Sequence, residues 1–331
     1  MVRMLTIRNL TIAPPLLLAP MAGITHSAFR GLLAGLGGVG LFSTEMLSAR
    51  RLPVENAGLS PFLVRSAVER PLSYQLLVSE PGHLAPAIDR VHQLGGAAID
   101  LNLGCPAPQV RTFGGGSKLV EDISGLRRLA AEARRRTALP LTAKIRLGDE
   151  LDEMRLRNLC RMLEGEGIDL LTVHARLRRE PFSRKPRWDW VGKVKGWLTI
   201  PVVANGGIFS VADGRRCLAL SGADGLMLGR GAVIRPWLFR ELAAELYGEG
   251  DHLAGIDRPA LYAAFCAGLE KRFQPERRLG RLKQFTHYFS RTYPFGLHLA
   301  SAVQGSATMA EARERAARFF VDNAGQPILA G

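Results

Sequence analysis

The chain has 331 residues, 47% of them hydrophobic, which is enough for a sizeable core and for more than one ordinary domain. Its formal net charge of +14 points to a polyanionic partner, nucleic acid before anything else. The four cysteines lie far apart with no CxxC pair, which argues against a disulfide framework or a zinc site, and no metal is expected.

The first ten residues, MVRMLTIRNL, carry two Arg, an Asn and a Thr, and the next run, IAPPLLLAPMAGI, contains three prolines. Neither reads as a signal peptide or a membrane span, so a cytoplasmic protein with no membrane attachment is expected. Eight apolar, β-rich runs follow in order: LLLAP (16–20), LFSTE (41–45), LSYQLLV (72–78), AAIDLNL (97–103), LTAKIRL (141–147), DLLTVHA (169–175), PVVANGG (201–207) and DGLMLG (224–229). Helical patterns lie between most of them, such as HLAPAIDRVHQLG (83–95), GLRRLAAEARRR (125–136) and MRLRNLCRMLEGEG (154–167). Alternating strand and helix predicts a parallel sheet, and eight such units fit an α/β fold of the closed (β/α)8 barrel type over residues 1–245. The alternative is an open doubly wound sheet. That fold needs a glycine fingerprint after its first strand, where MAGITHSAFR stands instead.

Beyond about residue 245 no strand-like run is convincing. RPALYAAFCAGLEKRF, RLGRLKQFTHYFSRTY and MAEARERAARFFVDNAG have apolar spacings of three and four and predict helices. GEGDHLAGID is the predicted linker, and 256–331 the predicted small helical domain.

Cys160, Cys217 and Cys266 sit in helix-like stretches and read as small buried hydrophobes. Cys105 differs, because DLNLGCP (100–106) places it in a turn directly after a strand. In a barrel, chemistry gathers where strands end. Here those ends are polar: Pro20 and Met21, Glu45, Gln75, Asn102 to Cys105, Lys144 to Arg146, His174 to Arg176, Asn205 to Gly207, and Gly229 with Arg230. Thr142, Lys144 and Arg146 share one face of the fifth strand, since side chains alternate. Both faces of a barrel strand are covered, so the two cations need something negative or electron-rich above the barrel, unless they snorkel to its rim. The seventh and eighth strands end in ANGG and LGRGA, a pair of loops that in barrels often holds phosphate. The plain alternative is two tight turns that need positive φ. A planar cofactor bearing a phosphate, such as flavin mononucleotide (FMN), would use these loops, Lys144 and Arg230 together. FGGGSKL (113–119) lacks the G-K-[ST] order of a phosphate loop and reads as a lid or a flexible connection.

Taken in order, LAPMAGIT (18–25), TEM (44–46), Gln75, DLNLGCP (100–106), GGGSKL (114–119), KIRLG (144–148), TVHAR (172–176), VVANGGI (202–208) and LGRGA (228–232) resemble the bacterial tRNA-dihydrouridine synthases. The likeness covers roughly residues 14–240 closely and the basic tail more loosely. It implies an FMN-bound barrel that reduces a D-loop uracil of tRNA with NADPH as reductant. By position, Pro20, Met21, Ala22, Gln75, Lys144, His174, Asn205, Gly206, Gly207, Gly229 and Arg230 would contact FMN, and Cys105 would be the proton donor. Asn102, Arg176, Arg277, Arg278 and Arg281 would contact the tRNA, and a monomer is expected. Two residues depart from the family pattern. Gly207 stands where many members have an acid, and Lys118 where a small neutral residue is usual.

Reducing the C5–C6 bond of uracil needs a hydride at one carbon and a proton at the other. An ordinary cysteine thiol, titrating near ~8.5, is mostly protonated at neutral pH and is a competent donor. A nucleophilic thiolate with His174 as its base is the rival role, and a structural turn cysteine the plain one. Two stretches are basic enough for RNA: 175–187, with six basic residues and one acid, and 270–291, where Phe273, Phe285, Tyr288 and Phe289 are interleaved. The second could equally be an amphipathic helix with a solvated basic face and an aromatic core stripe. The cofactor is expected to be held by the barrel alone. Two other functions compete: an FMN barrel acting on a small pyrimidine, and a non-catalytic RNA-binding barrel. The residues leave open which D-loop uridine is modified. The N-terminal half is similar to the branch acting on position 17, and parts of the tail to the branch acting on position 16.

Overall fold

The computed structural model describes residues 4–250 and 255–329. Residues 251–254 of the expected linker lie outside that range. The chain starts with an antiparallel hairpin, β1 (Leu5–Ile7) and β2 (Leu10–Ile12), turning at Arg8, whose φ is 51°. Leu5, Ile7 and Ile12 pack with Leu17, Leu41, Leu170, Val203 and Met227 and plug the N-terminal end of the barrel. Arg8 ties the hairpin down through Asp169, at 2.7 Å.

Eight parallel strands follow: β3 (Leu16–Leu18), β4 (Phe42–Ser48), β5 (Leu72–Leu77), β6 (Ala98–Asn102), β7 (Leu141–Arg146), β8 (Leu170–His174), β9 (Val202–Asn205) and β10 (Gly225–Leu228). Their order in space is β3-β10-β9-β8-β7-β6-β5-β4. A parallel bridge between Leu17 and Leu41 joins the two ends, and Leu18 N–H donates to the Leu41 carbonyl at 2.9 Å. This is the expected (β/α)8 barrel, with all eight strands at the predicted places. Parallel strands are buried on both faces, so Leu, Ile, Val and Ala run almost continuously until each strand reaches its polar end.

The helices around the barrel are α1 (Ser27–Leu36), α2 (Leu84–Gln93), α3 (Pro108–Thr112), α4 (Ile123–Arg136), α5 (Glu153–Gly165), α6 (Trp188–Trp197), α7 (Val211–Ser221), α8 (Arg230–Ile234) and α9 (Leu238–Tyr247). Short polar side chains start several of them. Asp122, Asp152 and Ser210 accept the backbone N–H of Gly125, Arg155 and Asp213, which satisfies donors the helix itself leaves free. Helix α4 ends in Arg134, Arg135 and Arg136, the favourable sign at a helix C-terminus.

The tail holds α10 (Arg258–Arg272), α11 (Arg278–Phe289), α12 (Gly296–Gln304) and α13 (Met309–Asp322). Asp257 and Thr308 cap α10 and α13. Phe265, Phe285 and Phe289 are fully buried and stacked, the first two with ring centroids 3.9 Å apart, and Phe29 of α1 meets Phe285. One hydrophobic cluster therefore runs from the barrel into the tail without a break. Most tail aromatics are core residues, as an amphipathic helix requires. Cys160, Cys217 and Cys266 are buried too, and burial pushes the thiols of Cys217 and Cys266 up to about 12.

Candidate active site at the C-terminal mouth of the barrel

The strand ends converge on a cavity of about 300 Å³. All eleven expected cofactor contacts line it: Pro20, Met21, Ala22, Gln75, Lys144, His174, Asn205, Gly206, Gly207, Gly229 and Arg230. Cys105 and Asn102 line it as well. They meet because the register sets Gln75 beside Asp100, Asn102 beside Lys144, Arg146 beside His174 and His174 beside Asn205.

A run of hydrogen bonds crosses three strands and ends at the thiol turn. Thr142 Oγ1 donates to Asp100 Oδ1 at 2.5 Å, and Gln75 Nε2 donates to Asp100 Oδ2 at 2.6 Å. Asn102 Nδ2 donates to Gln75 Oε1 at 2.7 Å, and Asn102 Oδ1 accepts the backbone N–H of Cys105 at 3.0 Å. Asp100, Gln75 and Asn102 are buried, so each donor and acceptor in the run is fixed by its neighbour. The carbonyl of Cys105 accepts Ser117 N–H at 3.0 Å, and a Cβ on Gly116 would lie 2.8 Å from that carbonyl oxygen. The FGGGSKL loop thus packs directly under the cysteine. Lys118 is not part of the cavity lining and pairs with Glu121 at 2.5 Å.

The opposite wall is cationic. Burial pulls Lys144 down to about 8, helped by the charge of Arg146, while Asp100 and Cys105 pull the other way. Burial, then Lys144 and Arg146, hold His174 well below the usual imidazole range, so its ring is neutral at pH 7. Arg146 lines the cavity and donates Nη1 to the Leu177 carbonyl at 3.1 Å. Cations held this close, with no carboxylate among the described residues that line the cavity, suit an anionic or electron-rich occupant.

The glycine loops form a cradle that side chains would fill. Gly206 has φ +107°, and a Cβ there would sit 2.8 Å from His174 Cδ2. Gly207 has φ +75°, and a Cβ would sit 2.5 Å from Pro186 Cγ. An acid at 207 would collide with this chain's Pro186, which accounts for glycine at that position. Trp188 Nε1 donates to the Gly206 carbonyl at 2.9 Å and fixes the loop. The two glycines and the start of α8 provide backbone N–H groups and a positive charge at Arg230, a donor set that suits a phosphate. With Lys144 and the buried side-chain amides of Gln75, Asn102 and Asn205 at the strand ends, these residues fit a flavin mononucleotide.

Several residues depart from expectation. Arg176 is buried and off the cavity wall; its Nη1 donates to the Pro181 carbonyl at 3.2 Å and shapes the loop after β8. The strand breaks one residue early, because Arg176 N–H folds back onto the His174 carbonyl at 2.6 Å. Arg278 donates Nε to the Phe273 carbonyl at 2.7 Å and Nη2 to the Glu270 carbonyl at 3.1 Å, closing the C-terminus of α10. Arg281 lies over the Phe273 ring at 4.3 Å and donates to the Arg277 carbonyl. Arg277 is exposed.

The cavity is also not closed by the barrel alone, contrary to expectation. Gln284 and Tyr288 of α11 form part of its wall. Phe182, from the loop after β8, covers it from another side. That ring stacks on His174 at 6.1 Å and takes the guanidinium of Arg230 on its face at 4.4 Å. A basic stretch containing one aromatic was the only sequence signal for Phe182. Nothing local marked Gln284.

A family model described as Dihydrouridine synthase (Dus) matches residues 17–326, nearly the whole chain. The chain belongs to the dihydrouridine synthase family. A relative from Aquipseudomonas alcaligenes named tRNA-dihydrouridine(16) synthase is 36% identical over 296 residues, which cover 87% of this chain and 94% of that one. One of the same name from Pseudomonas putida is 36% identical, with 84% and 88% covered. A tRNA-dihydrouridine synthase B from Pseudomonas aeruginosa is 34% identical, over 75% and 74%. Among solved structures, a 2-naphthoyl-CoA reductase complex has a TM-score of 0.55 at 12% identity, covering 73% of this chain and 51% of that one. A histamine dehydrogenase from Rhizobium sp. 4-9 has 0.56 at 12%, covering 81% and 50%. These two share the barrel fold with this dihydrouridine synthase family member.

Proposed function

We propose that the chain reduces uridine in the D-loop of tRNA to 5,6-dihydrouridine, with FMN as cofactor and NADPH as reductant. The observation that carries the reading is a single half-buried thiol, Cys105, facing Lys144, neutral His174 and a glycine cradle across one cavity. In a member of this family those groups have a common use. When bound, the flavin supplies hydride to C6 of the uracil.

The remaining chemistry belongs to the chain. Cys105 Sγ holds the proton that C5 receives, so one hydride and one proton add across the double bond. Asn102 sets the turn that aims the thiol. Lys144, on the cavity wall, would offer positive charge to an electron-rich reduced ring. Gly206, Gly207, Gly229 and Arg230 would hold the phosphate, and Pro20, Met21 and Ala22 also line the cavity. Burial and the cations Lys144 and Arg146 disfavour an imidazolium at His174, so in this reading it is a hydrogen-bonding partner for a pyrimidine edge rather than the proton acceptor for a thiolate.

Residues 1–245 carry the cofactor contacts in this reading, Gln284 and Tyr288 of the tail complete the cavity wall, and 256–331 adds contacts to tRNA, in a monomeric cytoplasmic protein. Position 16 is the favoured uridine. The relatives carrying that number match 84% and 87% of the chain, tail included, while the synthase B relative matches 75%. A small free pyrimidine would need neither the basic tail nor the +14 charge.

The test is to incubate the purified protein with FMN, NADPH and tRNA from a strain lacking dihydrouridine. Nucleoside mass spectrometry should then show a uridine two hydrogens heavier, mapped to position 16. Failure to take up FMN at micromolar concentration, with unchanged tRNA, removes the reading.

A further inference from the structure

The loop between β3 and α1 carries Met21 and Ala22 into the cavity, and it is gripped from two sides. From inside, the Glu45 carboxylate on β4 accepts Gly23 N–H on Oε2 at 2.5 Å. From outside, Gln284 of α11 donates Nε2 to the Ala22 carbonyl at 3.3 Å. Gly23 has φ +74°, and a Cβ there would lie 2.5 Å from Gln284 Oε1, so α11 seats against this loop only over a glycine.

Glu45 is only 3% exposed, yet its second oxygen, Oε1, has no hydrogen-bond partner. Burial pushes its carboxyl up, and the Gly23 N–H and the charges of Arg281 and Arg30 pull it back. Arg281 is the matching half. Its Nε is buried without a partner, and no hydrogen bond or ion pair joins it to Glu45. The two act on each other as charges across a gap, with Glu45 the chief charge favouring the cationic form of Arg281. The Arg281 guanidinium lies over Phe273, whose ring stands edge-on to His26, at the end of the same loop, with centroids 5.1 Å apart. The end of α10, the start of α11 and Glu45 therefore converge on residues 21–26.

We infer that Glu45 and Arg281 are a positioning pair that locks the Met21–His26 loop against the tail, so that docking of α11 sets the shape of the cofactor wall. This assigns Arg281 to the junction rather than to tRNA phosphate. The inference rests on flavin as the occupant of the cavity.

The test uses full-length apoprotein titrated with FMN, with tRNA binding at several salt concentrations and thermal melting measured in parallel. Glu45→Gln and Arg281→Gln should each weaken FMN binding by about 3–10-fold, and the double variant should bind no worse than the weaker single, as for two residues in one interaction. Arg281→Lys should recover affinity to within about twofold, since charge toward Glu45 is kept. The slope of log affinity for tRNA against log salt should be unchanged in Arg281→Gln. Unchanged FMN affinity in Arg281→Gln with a flattened salt slope overturns the inference and makes Arg281 an RNA contact. Additive losses in the double variant overturn it as well. Should Glu45→Gln fail to melt cooperatively, the two Arg281 variants decide alone. Wild-type protein that binds no FMN would instead refute the flavin reading itself.

Discussion

Asn102 Oδ1 accepts the backbone N–H of Cys105 at 3.0 Å, and Asn102 Nδ2 is spoken for by Gln75 at 2.7 Å. The amide can face only one way, because Gln75 is itself oriented by Asp100. Removing it frees the thiol turn while leaving the glycine cradle untouched. Asn102→Ala should therefore lower the single-turnover rate of tRNA reduction by about 10–100-fold, the penalty expected for a misplaced reacting group. FMN affinity should change by less than about threefold. An equal loss in both would make Asn102 chiefly a cofactor contact.

The run begins at a carboxylate. Asp100 accepts from both Thr142 and Gln75, and burial pushes its carboxyl up while those two bonds hold it down. Asn in its place has one acceptor for two donors, so Gln75 must turn over and Asn102 loses its partner. Asp100→Asn should reproduce the Asn102→Ala rate defect. A double variant no slower than either single would confirm that both act through the same turn.

Cys105→Ala should cut dihydrouridine formation by roughly two to four orders of magnitude, the usual span for a lost general acid. FMN content and NADPH oxidation without tRNA should stay close to wild type, because no glycine of the cradle touches the thiol. Rapid-mixing absorbance of the flavin separates the two half-reactions. Near-normal turnover would remove Cys105 from the donor role.

The barrel was legible because each strand announces itself twice, by an unbroken apolar run and by a polar end. Thr142, Lys144 and Arg146 do face the interior while Leu141, Ala143 and Ile145 join the outer core, as alternation required. The hairpin β1–β2 was not foreseen, since its strands are three residues each with Thr6 and Thr11 exposed. Helix α12 is also short, and GLHLASAVQ has only Leu299 and Val303 as buried large apolar residues. The cofactor-wall residues were readable where strands deliver them. Gln284 was not, because it meets Ala22 across 262 residues through the docking of the tail. Arg176 failed for a local reason: a turn one residue early sends it beneath the loop.

In the proposed reading, Lys144 trades stability for binding. In the apoprotein it titrates at about 8, below its usual 10.5, because burial penalises the charge. The unfolded chain thus binds more protons than the folded one between those values, so this lysine's penalty is full below pH 8 and fades as pH rises toward 10.5. Lys144→Met should raise the melting temperature of apoprotein at pH 7 by about 2–5 °C and should flatten the rise in stability above pH 8. The same variant should bind FMN more weakly below pH 8, and the wild-type advantage should shrink as Lys144 loses its proton. Differential scanning calorimetry and FMN titration across pH 6.5–9.5 measure both. A destabilised Lys144→Met apoprotein would mean that the lysine is satisfied without a ligand.

The charge free to meet tRNA in the two basic stretches is smaller than the sequence total implies. Of the six basic residues in 175–187, Arg176 is buried, Arg178 pairs with Asp149, and Arg187 pairs with Glu180 at 2.6 Å. Arg179, Arg184 and Lys185 remain exposed beside Phe182 at the cavity mouth. In the stretch 270–291 of the tail, Arg278 and Arg281 are engaged by the protein itself, which leaves Lys271, Arg277 and Arg291 exposed. A uridine drawn into the cavity brings its neighbouring phosphates to the loop first, so the loop should carry more of the affinity. Changing Arg179, Arg184 and Lys185 together to Gln should flatten the log-affinity versus log-salt slope by up to about 2–3 units, at a little under one per lost phosphate contact. Arg277→Gln should flatten it by less than about one. Arg278→Gln should leave the slope alone and lower the melting temperature, because two carbonyls at the end of α10 lose their donor. Fluorescence anisotropy with labelled tRNA at four or five salt concentrations resolves the three cases. A loop variant with an unchanged slope would shift the principal phosphate contacts to Lys271, Arg277 and Arg291.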